Sequence, residues 1–231
     1  MLRSRPAIGT WIAALLLLLP AGCATHPKMT VDWRNGPFFQ PTNFSGLPEL
    51  PVDVLRVALL PPAGLETLPQ ESASGLIQAL RASLGAATRF EIVYVDPALV
   101  RAFTGRDAVQ SVDTLPSVLF ERIARDQAAD AVLFVDLTLY HAYPPLGIGL
   151  RAKLVRLTGN RPILWAFDQV FDTRTPSVAN SARAHINASA PGHKTDTADS
   201  VLQSPSGFAS YVFDATFATL PHHAAAPKPQ H

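Results

Sequence analysis

The stretch ADAVLFVDLTLYHAYPPLGIGLRAKL, residues 129–154, decides the fold of this chain. Residues 131–140 are continuously apolar at first and alternate later, which predicts a strand that is buried where it begins. The prolines of YPPLG, residues 143–147, indicate a rigid turn. Beyond the turn, apolar and basic side chains alternate over residues 148–154, the pattern of a half-exposed strand. The stretch therefore predicts two neighbouring strands joined by a tight connection.

The segments on both sides alternate between strand and helix patterns. Runs of β-branched and apolar residues that end at proline or glycine predict short strands, and apolar residues at helical spacing predict helices. The predicted order is an α/β sandwich, in which one mixed β-sheet of about five strands carries helices packed on it. Strands are predicted at 55–60, 90–95 and 163–171, helices at 76–84, 97–103, 116–129, 175–188 and 206–220, and a polar loop at 189–203.

Composition narrows the class of protein. The chain has 231 residues, of which 48% are hydrophobic and 16% are charged, and its formal net charge is +1. This supplies enough apolar material for the core of one domain. Nucleic-acid binders need a basic stripe that meets the phosphates, so the low net charge argues against a nucleic-acid partner.

At the amino terminus, Arg3 and Arg5 precede an apolar run at 11–19, which is followed by small residues and Cys23, the single cysteine of the chain. This layout resembles a bacterial lipoprotein signal peptide. The resemblance implies export, cleavage before Cys23 and lipid, including palmitate, on that residue. Because the next residue is Ala24 rather than Asp, it also implies delivery to the outer membrane, on the periplasmic side. The alternative is an ordinary thiol inside a signal anchor.

Four regions follow from these patterns. We predict a lipoprotein signal peptide at 1–22, a lipidated cysteine with a proline-rich tether at 23–52, a single α/β domain at 53–220 and a disordered tail at 221–231. The prolines of the tether exclude regular helix there. Its aromatic residues leave two interpretations open, packing on the domain surface or docking on a partner. These residues are Trp33, Phe38 and Phe39.

Five segments of the domain carry a resemblance to known proteins. They are RVALLPP at 56–62, the helix at 76–84, FEIV at 90–93, IARDQAADAVL at 123–133 and LWAF at 164–167. In these segments the domain resembles a group of periplasmic lipoprotein domains, which includes the amino-terminal domain of the TolB translocation protein, the curli secretion-channel lipoprotein and the lipoprotein activators of penicillin-binding proteins. The members of this group are assembly and regulatory parts, so the resemblance implies a non-catalytic role. Long membrane-spanning hairpins, which the secretion-channel members add, are not evident in this sequence.

Few residues suggest chemistry. His141 follows the strand that contains Asp136, and Asp168 lies on a later strand, so these three could serve an envelope hydrolase as acid and base. No Gly-x-Ser-x-Gly elbow and no phosphate-binding glycine loop occurs. We therefore expect no catalytic residue and no cofactor. Possible metal ligands have a spacing that matches no familiar motif, so no metal is expected either. They are His185, His193, Asp196 and Asp199.

The segment around the predicted turn is the best candidate for a partner-binding surface. Tyr140, Tyr143, Pro144 and Pro145 would form a rigid, amphipathic knob that buries a large area with little loss of rotamer entropy. The alternative is that the aromatic rings only seal the edge of the sheet. The leading hypothesis is an outer-membrane lipoprotein that binds another envelope protein. The alternatives are the hydrolase and a homo-oligomeric, secretion-associated lipoprotein.

Overall fold

The computed structural model describes residues 33–189 and 196–223. The predicted signal peptide and Cys23 lie outside these residues, as does most of the predicted tail. Of Trp33 only the backbone is described. Within the described ranges, no helix is both long and apolar enough to cross a membrane.

The described residues form eight strands and six α-helices, which are numbered in chain order. The strands are β1 (Phe44–Gly46), β2 (Glu49–Leu50), β3 (Arg56–Leu59), β4 (Glu91–Tyr94), β5 (Ala131–His141), β6 (Gly147–Arg156), β7 (Ile163–Asp172) and β8 (His222–His223). The helices are α1 (Gln70–Ala87), α2 (Pro97–Thr104), α3 (Ser117–Gln127), α4 (Pro176–Ser189), α5 (Asp196–Ser200) and α6 (Pro205–Phe217).

The main sheet is mixed and has the order β1-β7-β6-β5-β3-β4. β3 is parallel to both β4 and β5, whereas β5, β6, β7 and β1 pair antiparallel to one another in that sequence. The α/β fold predicted from the sequence is confirmed. The sheet has six strands rather than about five because β1 adds to the edge of β7.

Helices cover both faces of the sheet and bury two separate cores. The larger core packs α1, α4 and α6 on one face, and its largest side chains include Trp165, Phe167 and Phe171 of β7. The smaller core packs α2 and α3 on the other face, where Leu119 and Ile123 are fully buried. Close packing of this kind supplies most of the stabilising free energy of such a domain.

The ordered structure extends beyond the predicted domain limits of 53 and 220. Upstream, β1 hydrogen-bonds to the edge of β7, because an uncovered edge offers backbone groups that a short extended segment satisfies. Downstream, β8 pairs with β2 in a separate two-stranded sheet. The predicted polar loop contains α5 and a 3-10 turn at Val201–Gln203. The predicted tether and tail therefore contribute short strands to the fold.

The segment just before β1 is held down on α4. The Phe39 backbone nitrogen donates to the Ser181 hydroxyl at 2.8 Å, and the Asn180 amide donates to the Pro37 carbonyl oxygen at 3.2 Å. The Phe39 ring meets the edge of the Phe171 ring, with 5.3 Å between their centroids. Phe39 therefore packs on the domain surface, which is one of the two interpretations that the sequence left open. The neighbouring Phe38 is half exposed.

Candidate functional site

The turn between β5 and β6 and the start of α1 enclose an open groove of about 650 Å³. Tyr140, Tyr143 and Pro145 line its strand side, and Pro69 and Ser72 line its helix side. Most of the exposed lining is apolar. Four residues were predicted to form a knob here, and the structure places Tyr140, Tyr143 and Pro145 on the groove, with Pro144 between the last two in the turn.

The two tyrosines of the groove differ in what they contact. Tyr140 is half-buried and packs against the larger core, so its ring position is fixed by the domain. Tyr143 is 84% exposed, the highest value among the exposed large hydrophobic residues of the described chain. The sequence left open whether these rings only seal the sheet edge. The Tyr140 ring packs on the larger core, and the Tyr143 ring is exposed.

A second, smaller groove of about 200 Å³ adjoins the first and shares Tyr140 and Ser72 with it. It runs along the first turns of α1 to Pro205 at the start of α6. Gly75 contributes to its openness, since a Cβ added there would meet no atom within 4 Å. The two grooves therefore meet at Tyr140 and Ser72.

Charged groups lie at one end of the larger groove. Arg174 lines it, and its guanidinium donates to both carboxylate oxygens of Asp172 at 2.5 to 3.0 Å, which lowers the pKa of Asp172. His141 also lowers that pKa by its proximity. Gly147, opposite His141 in register, leaves room for the imidazole, whose Nδ1 would lie 3.1 Å from an added Cβ. His141 is thus a neighbour of Asp172, and it lies five residues from Asp136 along β5.

Asp136 is buried and bound to the loop between α2 and α3. Its carboxylate accepts hydrogen bonds from the Ser111 nitrogen at 3.0 and 3.1 Å and from the Ser111 hydroxyl at 2.6 Å. Burial raises the pKa of Asp136, and the Ser111 hydrogen bonds oppose that rise. The Lys153 ammonium donates to the Ser111 carbonyl oxygen and so fixes the same loop. Asp136 is only 2% exposed, and its hydrogen bonds fix the loop between α2 and α3 to the sheet.

Asp168 lies two strands away from Asp136, with Arg151 between them in register. The Arg151 guanidinium donates to Asp168 at 2.8 Å. Two strand spacings place the Cα atoms of the two aspartates about 10 Å apart. Arg151 thus separates the two aspartates, and neither aspartate lines the groove beside Tyr143, whereas His141 does.

The residues considered from the sequence as possible metal ligands contact other partners where the structure describes them. The His185 Nε2 atom lies 2.7 Å from Asp214, and Asp199 accepts from Arg183 at 2.7 Å. His193 and the side chain of Asp196 lie outside the described residues. Among the side chains that are described, no group of three or more potential ligands could hold a metal ion.

Comparisons with known proteins give distant similarities only. No protein-family model matches the chain, and no curated protein matches its sequence. The PelC dodecamer from Paraburkholderia phytofirmans is 12% identical with a TM-score of 0.38, covering 75% of this chain and 94% of that chain.

Two further solved structures show a similar level of likeness. Lipoprotein GNA1162 from Neisseria meningitidis is 17% identical with a TM-score of 0.40, covering 58% of this chain and 96% of that one. The LpoB C-terminal domain from Salmonella enterica is 17% identical with a TM-score of 0.33, covering 51% and 82%. Likenesses at these TM-scores carry no argument about function.

Sequence reasoning missed the far wall of the groove. Pro69 and Ser72 precede and open α1, and Arg174 follows β7, so all three are distant in sequence from Tyr143. No periodicity or motif links them. They meet because α1 begins, and β7 ends, near the β5–β6 turn, which is a property of the topology.

Proposed function

We propose that this chain is a lipid-anchored, non-catalytic module of the bacterial envelope that docks a protein partner in the groove beside Tyr143. The observation that carries the proposal is the contrast between this open groove and the candidate catalytic groups. The carboxylates of Asp136 and Asp168 are engaged by Ser111 and Arg151 on another part of the sheet. The groove itself is mostly apolar and accessible.

The groove has the chemistry of a docking surface. A tyrosine offers a large amphipathic area and immobilises few torsions when it is buried by a partner, which makes it a good anchor. Pro144 and Pro145 stiffen the turn that presents Tyr143, so little backbone entropy is lost on binding. Tyr140 and Pro145 supply the apolar wall beside it.

The anchor in this proposal is lipid on Cys23, at the periplasmic side of the outer membrane. Restricting both proteins to one surface raises the effective concentration of the partner at the groove. The pattern of basic residues, apolar run and cysteine supports it. Replacing Cys23 with Ala should release the full-length chain from membranes, and a variant that stays fully membrane-bound at its original mass contradicts the anchor.

The docking role is tested by cross-linking the full-length chain in living cells and identifying the recovered proteins by mass spectrometry. We compare the wild type with Tyr143→Ala and with Tyr94→Ala, a matched control because Tyr94 is a half-exposed tyrosine on the outer strand β4. One envelope protein should be recovered with the wild type and Tyr94→Ala and lost with Tyr143→Ala. Identical recovery with all three chains, or recovery of this chain alone as a homo-oligomer, contradicts the proposal.

A further inference from the structure

β5 extends past the strand that covers its outer side. Pairing with β3 ends at Leu133, and the loop after β3 adds one bridge, between Ala63 and Asp136. The last of these contacts is the hydrogen bond from the Leu137 nitrogen to the Ala63 carbonyl oxygen at 2.9 Å. Beyond Leu137, β5 pairs with β6 on one side, and no strand of the described chain lies on the other.

Beyond Leu137, the backbone groups on the open edge of β5 face no strand of the described chain. A register shift between Leu137 and Leu139 adds one residue to β5, so the alternation of backbone directions shifts by one. Tyr140, rather than Leu139, is then the next residue whose N–H and C=O point away from β6. The side chain of Tyr140 fits this assignment, because it packs on the larger core with that of its partner Ile148.

The groove of about 650 Å³ includes Tyr140, at the open edge of β5, in its lining. After Ala63 the chain leaves β5 and enters α1, and Pro69 and Ser72, at the start of that helix, line the same groove. An unpaired edge beside an apolar recess is the arrangement that binds an extended peptide as an added strand.

The point where the chain enters the domain restricts the partner. Trp33–Asn35 pack on α4. Asn180, in the second turn of α4, donates a hydrogen bond to the Pro37 carbonyl oxygen. Arg174, which lines the groove, precedes α4 by two residues, and Asn180 is the fifth residue of that helix. The chain therefore enters the domain at the end that carries the groove.

The number of residues between Cys23 and Trp33 limits how far the entry point of the chain can lie from the membrane. Ten residue steps separate Cys23 from Trp33, and an extended chain covers at most about 3.5 Å per step, or about 35 Å in all. With lipid on Cys23, Trp33 stays within that distance of the bilayer surface. Trp33 belongs to the segment that enters the domain on the same side as the groove. A protein held at the same membrane can present a segment there.

We infer that the groove binds an extended segment of a membrane-held protein, which adds as a strand to the open edge of β5 at Tyr140. Backbone hydrogen bonds to the Tyr140 N–H and C=O give the segment its register, and its apolar side chains pack against Tyr143 and Pro145. The inference rests on the proposed docking function and names the conformation and location of the partner. A bilayer surface cannot supply paired backbone groups, and a recess suits a chain better than a flat sheet of lipid.

The test uses the full-length chain in native membranes, with the photo-reactive residue p-benzoyl-phenylalanine in place of Tyr143. Two variants are compared in this background: Tyr140→Pro lacks the ring and the outward N–H, and Tyr140→Ala lacks the ring only. Proline is tolerated on strand edges whose N–H points outward. We expect at least about a tenfold lower cross-link yield for Tyr140→Pro than for Tyr140→Ala, with a cross-linked peptide close to a transmembrane or lipidated segment.

Each other outcome has a distinct meaning. Equal yields for the two variants overturn strand addition and leave docking intact, and a cross-linked peptide from a protein without a membrane anchor overturns the location. Cross-links to lipid alone, or to nothing, overturn the docking function as well. If Tyr140→Pro fails to fold, hydrogen exchange on the wild type decides, since the Tyr140 amide must be protected in membranes that contain the cross-linked partner and exposed in the purified chain.

Discussion

Asp136 of β5 accepts three hydrogen bonds from one residue, Ser111, whose nitrogen and hydroxyl both point at the buried carboxylate. This contact fixes the loop between α2 and α3 to β5 of the sheet. Burying a carboxylate that is 2% exposed is costly, and these hydrogen bonds offset that cost together with the nearby charges of Arg151 and Lys153. Ser111 therefore makes the burial of Asp136 tolerable.

Replacing Ser111 with Ala should lower the free energy of unfolding by about 1–3 kcal/mol, because one hydrogen bond to a buried charged group is lost. Urea titration followed by circular dichroism measures the change. Ser189→Ala, at the exposed end of α4, is the matched control and should change stability by less than about 0.5 kcal/mol. Equal effects of the two substitutions would contradict the role assigned to Ser111.

The pH dependence of stability gives a separate check on Asp136. Burial raises the pKa of its carboxyl above the ordinary 3.8, so in the window just above that value the native chain binds more protons than the unfolded chain. The contribution of Asp136 to the free energy of unfolding is therefore greatest below the unfolded pKa and declines as pH rises through the folded pKa. Asp136→Asn removes this decline.

The measurement compares unfolding curves of the wild type and Asp136→Asn from acid to neutral pH. The difference in free energy of unfolding, wild type minus variant, should decrease as pH rises, whatever the constant effect of the substitution. Asp172 provides the opposite case, because Arg174 lowers its pKa and its contribution is lost as pH falls. A difference for Asp136→Asn that does not change with pH contradicts the raised pKa.

The strands of the sheet centre were predictable because their side-chain pattern is local. Residues 131–140 and 148–154 show the continuous and alternating apolar patterns that become β5 and β6. β1 was not predictable, since Phe44-Ser45-Gly46 has no period of its own and is a strand only because it pairs with β7. The same limit applies to β2 and β8, which have two residues each.

The candidate site was half predictable for the same reason. Tyr140 and Tyr143 stand out in the sequence because aromatic and proline residues cluster at one turn. Pro69 and Arg174 join them only through the topology, and the open edge at Tyr140 depends on where β3 stops pairing. The hydrogen bonds from Ser111 to Asp136 also join residues that are distant in sequence, so no local sequence pattern predicts them.

The alternation on β7 predicts a large difference between two neighbouring residues. Phe171 is fully buried against the Phe39, Phe167 and Tyr211 rings, whereas Val170 on the opposite face is 47% exposed. Phe171→Ala should cost about 3–5 kcal/mol of stability, since it leaves a cavity in the larger core. Val170→Ala should cost under about 1 kcal/mol. Thermal unfolding of both variants measures the contrast, and comparable losses would contradict the assignment of faces.

The contacts between the amino-terminal segment and α4 predict a local effect without a global one. Ser181→Ala removes the acceptor for the Phe39 nitrogen, whose hydrogen bond of 2.8 Å is the shorter of the two that hold this segment on α4. The Phe39 amide should then exchange its hydrogen at least about tenfold faster, while amides of β5 keep their protection, because the segment opens without unfolding the sheet. Hydrogen exchange by mass spectrometry on the full-length chain measures both. Ser210→Ala, on α6, serves as the control and should leave the Phe39 amide unchanged, and unchanged exchange in Ser181→Ala would show that the Phe39–Phe171 ring contact holds the segment without the hydrogen bond.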